Sequence, residues 1–186
     1  MAVPEDAPAV AGLHADSWQR HYRGAYADAF LDGEPDGFLT GRWTQRLAAA
    51  SPRARTIVAE YDGGLVGLAH VELDADPTWG ALVDNLHVRS PLKRQGIGTR
   101  LLALTAQAVL DSDPSSGLYL WVLEQNSAAQ QFYAARGGTC VERSTVPPPG
   151  GDPSRLNGSP TCFRYAWRDL TALFPVTPLV DNNGRP

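Results

Sequence analysis

Between Leu86 and Leu102 the chain reads Leu-His-Val-Arg-Ser-Pro-Leu-Lys-Arg-Gln-Gly-Ile-Gly-Thr-Arg-Leu-Leu: a β-compatible run, a basic turn with two glycines one residue apart, then an apolar helical repeat. The chemistry this pattern suits is anion capture. Gly96 and Gly98 let consecutive amides approach a ligand closely, and a helix starting there adds free N–H groups and the positive end of its dipole. Lys93 and Arg94 add charge, as does Arg100 if it faces the turn, so a pyrophosphate fits. Taken alone, a Gly-x-Gly turn with solvated basic residues explains the segment about as well. A nucleotide P-loop is excluded because GxxxxGK[ST] is absent, and a dinucleotide fingerprint because Arg100 and Leu101 follow Gly98 where a third glycine is required.

A second group is Leu120-Trp-Val-Leu-Glu-Gln-Asn126, followed by Ala128, Ala129, Phe132, Tyr133 and Gly137-Gly138. A strand end meets a helix with Asn126 at its N-cap, and Tyr133 falls on nearly the same helical face about two turns later. By itself this is an ordinary cap and an ordinary aromatic core.

The elements that must position these groups follow from periodicity. Val10 to Leu31 carries Leu13, Trp18, Tyr22, Tyr26 and Phe30 at helical spacing, and Phe38 to Ala50 reads as a further helix after a break at Asp32 to Gly37. Thr56 to Glu60, a turn at Asp62-Gly63-Gly64, and Leu65 to Leu73 form a hairpin, and Trp79 to Val88 is a third strand. Ile97, Leu101, Leu104 and Ala108 mark an amphipathic helix. Leu118 to Leu123 is a strand buried on both faces, and Asn126 to Arg136 a helix stopped by glycines. Thr139 to Ser144 and Cys162 to Arg168 are two last strands, separated by a Pro- and Gly-rich segment over 146–160 that is long enough to be functional or mobile. Helix, three strands, helix, strand, helix and two strands make an α/β arrangement on one central sheet.

Composition narrows the function. A chain of 186 residues, 43% hydrophobic, holds one domain, placed at residues 1–170 with residues 1–8 frayed and 171–186 a tail. Sixteen basic against twenty acidic residues leave a net charge of -4, without the basic excess of a nucleic-acid binder. Lys93 is the only lysine. Cys140 and Cys162 form no disulfide framework and no zinc spacing, and are expected as two buried free thiols. The N-terminus lacks a leader pattern and no stretch is apolar enough to span a membrane, so the expected location is the cytoplasm. A homodimer contact through the C-terminal strands and the long segment stays open.

In register, the two motif groups resemble the GCN5-related N-acetyltransferase (GNAT) family. Lys93-Arg-Gln-Gly-Ile-Gly98 is similar to the family's Q/R-x-x-G-x-G/A motif at both glycines and departs at its first position, where lysine stands. Asn85-Leu-His-Val88 is similar to the family's fourth strand, and Asn126-x-x-Ala129-x-x-Phe132-Tyr133-x-x-x-Gly137 to its later helix. The resemblance is firm from about Thr56 to Glu142. It implies a mixed, mostly antiparallel sheet of six or seven strands flanked by helices, with a splayed strand pair holding acyl-CoA. It further implies acetyl-CoA as acyl donor, an amine as acceptor, and direct attack of the amine on the thioester.

Carried onto this chain, the resemblance assigns Leu86, His87 and Val88 to the acyl end, and Lys93, Arg94, Gln95, Gly96, Ile97, Gly98, Thr99 and Arg100 to the pyrophosphate. Asn126 goes to the pantetheine arm and Tyr133 to protonation of the departing thiolate. The position where one branch of the family carries a glutamate base is Leu82. Asp84, taken by strand alternation to share the face of Leu82 and Val88 with His87 opposite, is the nearest carboxylate. Glu72, His70, Glu124 and a water chain are further candidates. The missing glutamate also admits a second reading, an acyl-CoA-binding or sensing module without catalysis. Trp18, Tyr22, Tyr26, Trp43, Trp79 and Trp121 divide between core and acceptor pocket, with core favoured.

Overall fold

Where the apolar period is two, the computed structural model forms strands, and where it is near 3.6 it forms helices. The structure describes residues 1–33, 35–49 and 51–174. Helices α1 (Ala7–His21), α2 (Asp28–Gly33) and α3 (Pro35–Ala48) precede a hairpin and third strand, β1 (Ala54–Tyr61), β2 (Gly64–Asp76) and β3 (Gly80–Val88). Helix α4 (Ile97–Ser112), β4 (Leu118–Leu123), α5 (Ser127–Ala134), β5 (Thr139–Thr145) and β6 (Thr161–Trp167) follow. Six strands form one sheet in the order β1-β2-β3-β4-β6-β5, antiparallel except where β3 meets β4.

The sheet separates two apolar layers. On one face α1, α2 and α3 bury Val10, Leu13, Trp18, Leu31, Leu39 and Trp43 against Leu68 and Leu123. On the other, α4 and α5 bury Leu102, Ala106, Val109 and Tyr133 against Val71, Val83, Leu118 and Leu120. Among the described residues no helix is long and apolar enough to cross a membrane.

Near the N-terminus Pro4–Asp6 forms a 3-10 turn, the Ala2 amide donates to the Thr56 carbonyl at 2.9 Å, and Ala7 is buried. Leu170 and Leu173 of a short 3-10 turn join the α4 core, and residues 175–186 lie outside the described residues. The 146–160 segment packs on the helical layer, with Arg155 stacked over Phe30 and Phe38 and the Ala27 amide bonded to the Arg155 carbonyl. The expectation of two buried thiols fails at one of them: Cys162 is buried but Cys140 is exposed, because β5 is an edge strand exposed along nearly its whole length.

Candidate active site

The basic turn after β3 is built to expose amides. Ser90–Leu92 makes a 3-10 turn, Arg94 takes φ 65°, and Gly96 caps α4 at φ 84°, a left-handed conformation that glycine adopts without penalty. No side chain caps α4, and among the described residues the amides of Ile97, Gly98 and Thr99 donate to no protein acceptor. Three free N–H groups at the positive end of a 16-residue helix have the chemistry that suits an anion. A Cβ on Gly98 would enter the space between Phe132 (3.5 Å) and Val88 (3.7 Å), so the glycine keeps open a channel between β3 and α5. Arg94, Gln95 and Arg100 are exposed around it. Lys93 instead reaches α1, with its Nζ 2.6 Å from His21 Nε2.

Arg136, which no motif pointed to, completes this end. It donates to Thr99 Oγ1 at 2.8 and 3.2 Å and stacks over Phe132 at 5.0 Å, which brings a further cation to the start of α4. Only the α5–α4 packing reveals it.

The channel continues between β3 and β4. These parallel strands pair only at Ala81↔Leu118 and Leu82↔Tyr119 and then diverge. The Arg89 amide bonds the Val66 carbonyl, so by antiparallel alternation residues 87 and 85 also face β2 with their backbone groups, while those of Leu86 and Val88 point into the gap. On the other edge the Glu124 amide bonds the Thr161 carbonyl, so the backbone of Trp121 and Leu123 turns toward the gap in the same way. A slot edged by unpaired strand backbone and ending at free helix amides suits an extended, amide-bearing chain that terminates in phosphates.

Side chains on the α1/α3 face define the other approach to this slot. A register shift between His70 and Val71 leaves Asp84 as the extra residue of a β-bulge: His70 pairs with Asn85 and Val71 with Val83. The bulge reverses the alternation expected from sequence. Val83 lies in the α4 core, and Leu86 and Val88 pack in the cluster formed with Leu101 and Ile97, whereas Asp84 reaches α3 and His87 reaches α1. Asp84 therefore shares a face with His87, not with Val88, and counting by twos along an unbroken strand cannot reveal it.

Asp84 is bound by cations. Its Oδ2 lies 2.7 Å from Arg46 and 3.4 Å from Arg42, and it accepts from Asn85 at 2.7 Å. Burial alone would raise its pKa; the guanidinium groups of Arg46 and Arg42 outweigh burial and hold the carboxyl below the usual carboxylate range. His87 bonds Ser17 Oγ through Nδ1 at 2.9 Å and packs on the His14 ring at 4.6 Å, and its Nε2 is buried without a protein partner. Burial lowers its pKa to about 4, so it is neutral. His70 bonds Thr56 and is likewise lowered to about 4 by burial. Glu72 is paired with Arg46, and Glu124 with Arg143.

Tyr133 is 9% exposed, its ring packed by Phe132, Tyr165 and Trp167. Burial, with a smaller contribution from Tyr22, raises its pKa, so the phenol stays protonated and remains a donor. Asn126 caps α5 by accepting from the Ala129 amide at 3.2 Å, which occupies its oxygen and leaves its amino group for other contacts. Trp18, Tyr26 and Trp43 belong to the core, while Tyr22 is only partly buried against it. Trp79, Tyr119 and Trp121 ring the guanidinium of Arg164 at 4.6 to 5.5 Å. Two surface depressions, of about 440 Å³ around Asp74, Asp76 and Asp113 and about 360 Å³ around Arg46, Arg53 and Glu72, lie outside the slot.

A splayed parallel pair opening onto an uncapped helix start is the architecture of acyl-CoA-dependent acetyltransferases, and the sequence agrees: a profile of the acetyltransferase (GNAT) family matches residues 6–137, so this chain belongs to that family. It is 31% identical to a probable N-acetyltransferase of Mycobacterium tuberculosis over 134 residues, 71% of this chain and 74% of that protein. Its fold is shared with the PaiA N-acetyltransferase of Thermoplasma acidophilum, solved with coenzyme A (TM-score 0.67, 18% identity, 89% of this chain and 96% of that one). An acetyltransferase of Thermus thermophilus is similar over 89% of this chain and 92% of its own, with TM-score 0.61 and 22% identity.

Proposed function

We propose that the protein transfers an acetyl group from acetyl-CoA to a primary amine by direct attack. The observation that carries this reading is the continuous donor edge: the backbone of Leu86 and Val88 facing the β3–β4 gap, followed by the free amides of Ile97, Gly98 and Thr99. Acetyl-CoA supplies an activated thioester with two phosphates at the far end of an amide-bearing arm. Gly96 to Arg100 hold the pyrophosphate, with Lys93, Arg94 and Gln95 at its rim. Leu86, His87 and Val88 form the strand edge at the acyl end, and the Asn126 amino group contacts the arm. The Val88 amide polarises the thioester oxygen as negative charge develops there.

Tyr133 donates to the leaving sulfur. With its pKa raised by burial, the phenol is a weak acid, and it acts first as a hydrogen-bond donor that disperses charge on sulfur. Asp84 takes a role other than the general base expected of it. A carboxyl held below its ordinary range by two guanidiniums is a poor proton sink, so it acts as a fixed negative charge facing the acceptor while the ammonium proton leaves through water. Replacing Tyr133→Phe lowers turnover about 100-fold or more and leaves acetyl-CoA affinity near wild type; an unchanged rate removes Tyr133 from the reaction.

Leu82 at the position of the family's carboxylate base, with Asp84 ion-paired, favours one other reading, an acyl-CoA-binding module without turnover. CoA release measured against a panel of amines separates the two: thiol appearing with any amine decides for the enzyme, and binding without release decides for the module.

A further inference from the structure

The last turn of α1 touches both sides of the splayed gap. On the β4 side, Gln125 Nε2 donates to the carbonyls of His21 (3.3 Å) and Arg23 (2.7 Å), which have no further helical turn to bond them. On the β3 side, Ser17 bonds His87, and His21 Nε2 meets the ammonium of Lys93 at 2.6 Å. An ammonium can only donate, so His21 is the acceptor and is neutral, with its proton on Nδ1. Burial first, then the charges of Lys93 and Arg20, lower its pKa, with Asp16 opposing, which keeps the imidazole in the accepting form.

Lys93 is the residue at which the phosphate motif departs from the family pattern. A lysine on an exposed turn has a long, flexible stem, and fixing it on a ligand costs side-chain entropy. His21 takes one of its three N–H donors and leaves two. We propose that His21 is a positioning residue for cofactor binding: anchored on α1, it holds the Lys93 ammonium at the rim of the α4 phosphate site, so that part of the cofactor's charge recognition is supplied from the acceptor-side layer. This rests on the reading that the α4 start binds the phosphates of acetyl-CoA. It also makes α1, which carries Trp18 and is capped by Tyr22, a direct neighbour of the loaded loop.

The test is a mutant cycle read as the acetyl-CoA dissociation constant by calorimetry, with thermal melts of each variant to verify folding. His21→Phe weakens binding about three- to tenfold, the range of one hydrogen bond, and Lys93→Ala weakens it at least as much. In the Lys93→Ala background, His21→Phe has no further effect. His21→Gln, which keeps an acceptor, restores wild-type affinity. The proposal is overturned if His21→Phe binds as wild type, if its effect is the same factor with and without Lys93, or if His21→Gln behaves like His21→Phe. Wild type that binds no acetyl-CoA removes the functional reading and this inference together, whereas tight wild-type binding with an additive cycle removes this inference alone.

Discussion

The two approaches to the β3–β4 slot are built from different parts of the chain. On the α4 side the working groups are main-chain amides, presented by a tight turn and a helix start within a dozen residues. On the α1/α3 side they are side chains drawn from α1, α3, β2 and β3, held in one network: Asp84 between Arg42 and Arg46, Arg46 on Glu72, His87 on Ser17, and Trp43 donating to His14. A backbone site depends on conformation and survives most side-chain changes. A side-chain network depends on complementary partners, and losing one member strands another in a poorly solvated place.

Acid should expose this difference most strongly. His70 and His87 titrate near 4 in the folded protein and near their ordinary 6.5 when unfolded, so as pH falls the unfolded chain takes up protons first. Stability is therefore full above about pH 7 and is lost as pH falls from 6.5 toward 4, by up to about 3 kcal/mol for each histidine. Below that window the depressed carboxylate of Asp84 acts in the same direction. Urea melts across pH 7 to 4 check this, and a flat profile would show the α1/α3 network to be less enclosed than its packing indicates. Replacing both histidines by glutamine should reduce the slope and leave the part supplied by His14, whose pKa burial also lowers.

Asp84→Asn is the next largest effect. It leaves Arg46, with 17% of its side chain exposed, without its nearest carboxylate, at a cost of about 2 kcal/mol, discounted for the partial exposure of Asp84. Chemical denaturation reads this loss, while acetyl-CoA affinity should stay near wild type because the α4 side is untouched. A matching loss of cofactor affinity would mean the two sides are coupled through β3. The smallest effect is on the α4 side: Gly96→Ala meets no neighbour within 4 Å but must keep φ 84°, which costs about 1 kcal/mol of stability. Acetyl-CoA affinity falls with it as the amides lose their alignment, whereas Gly12→Ala, in the body of α1, should leave affinity unchanged.

The contrast also explains what was legible in advance. Gly96, Gly98, Asn126 and Tyr133 lie in local patterns, and the strands and helices that carry them occur where periodicity placed them. Asp84 was selected from its strand position and then assigned the wrong neighbours, because the bulge at Asp84 flips the face of every β3 residue after it. Arg136 at Thr99 and His21 at Lys93 join residues 37 and 72 positions apart, and no local pattern marks either contact. The 146–160 segment is Pro- and Gly-rich, and the stacking of its Arg155 over Phe30 and Phe38 again joins partners far away in the chain.

By itself, then, the sequence determined the element order, the mixed sheet, the family and the two-glycine turn, because each depends on short-range spacing and on glycines whose backbone freedom is a local property. Tertiary structure alone decided that Asp84 is a paired anion instead of a free base, that Lys93 is held by α1, and that the histidines stay neutral. Those outcomes depend on burial and on charges brought together by packing, and neither exists until the α1/α3 layer closes on the sheet.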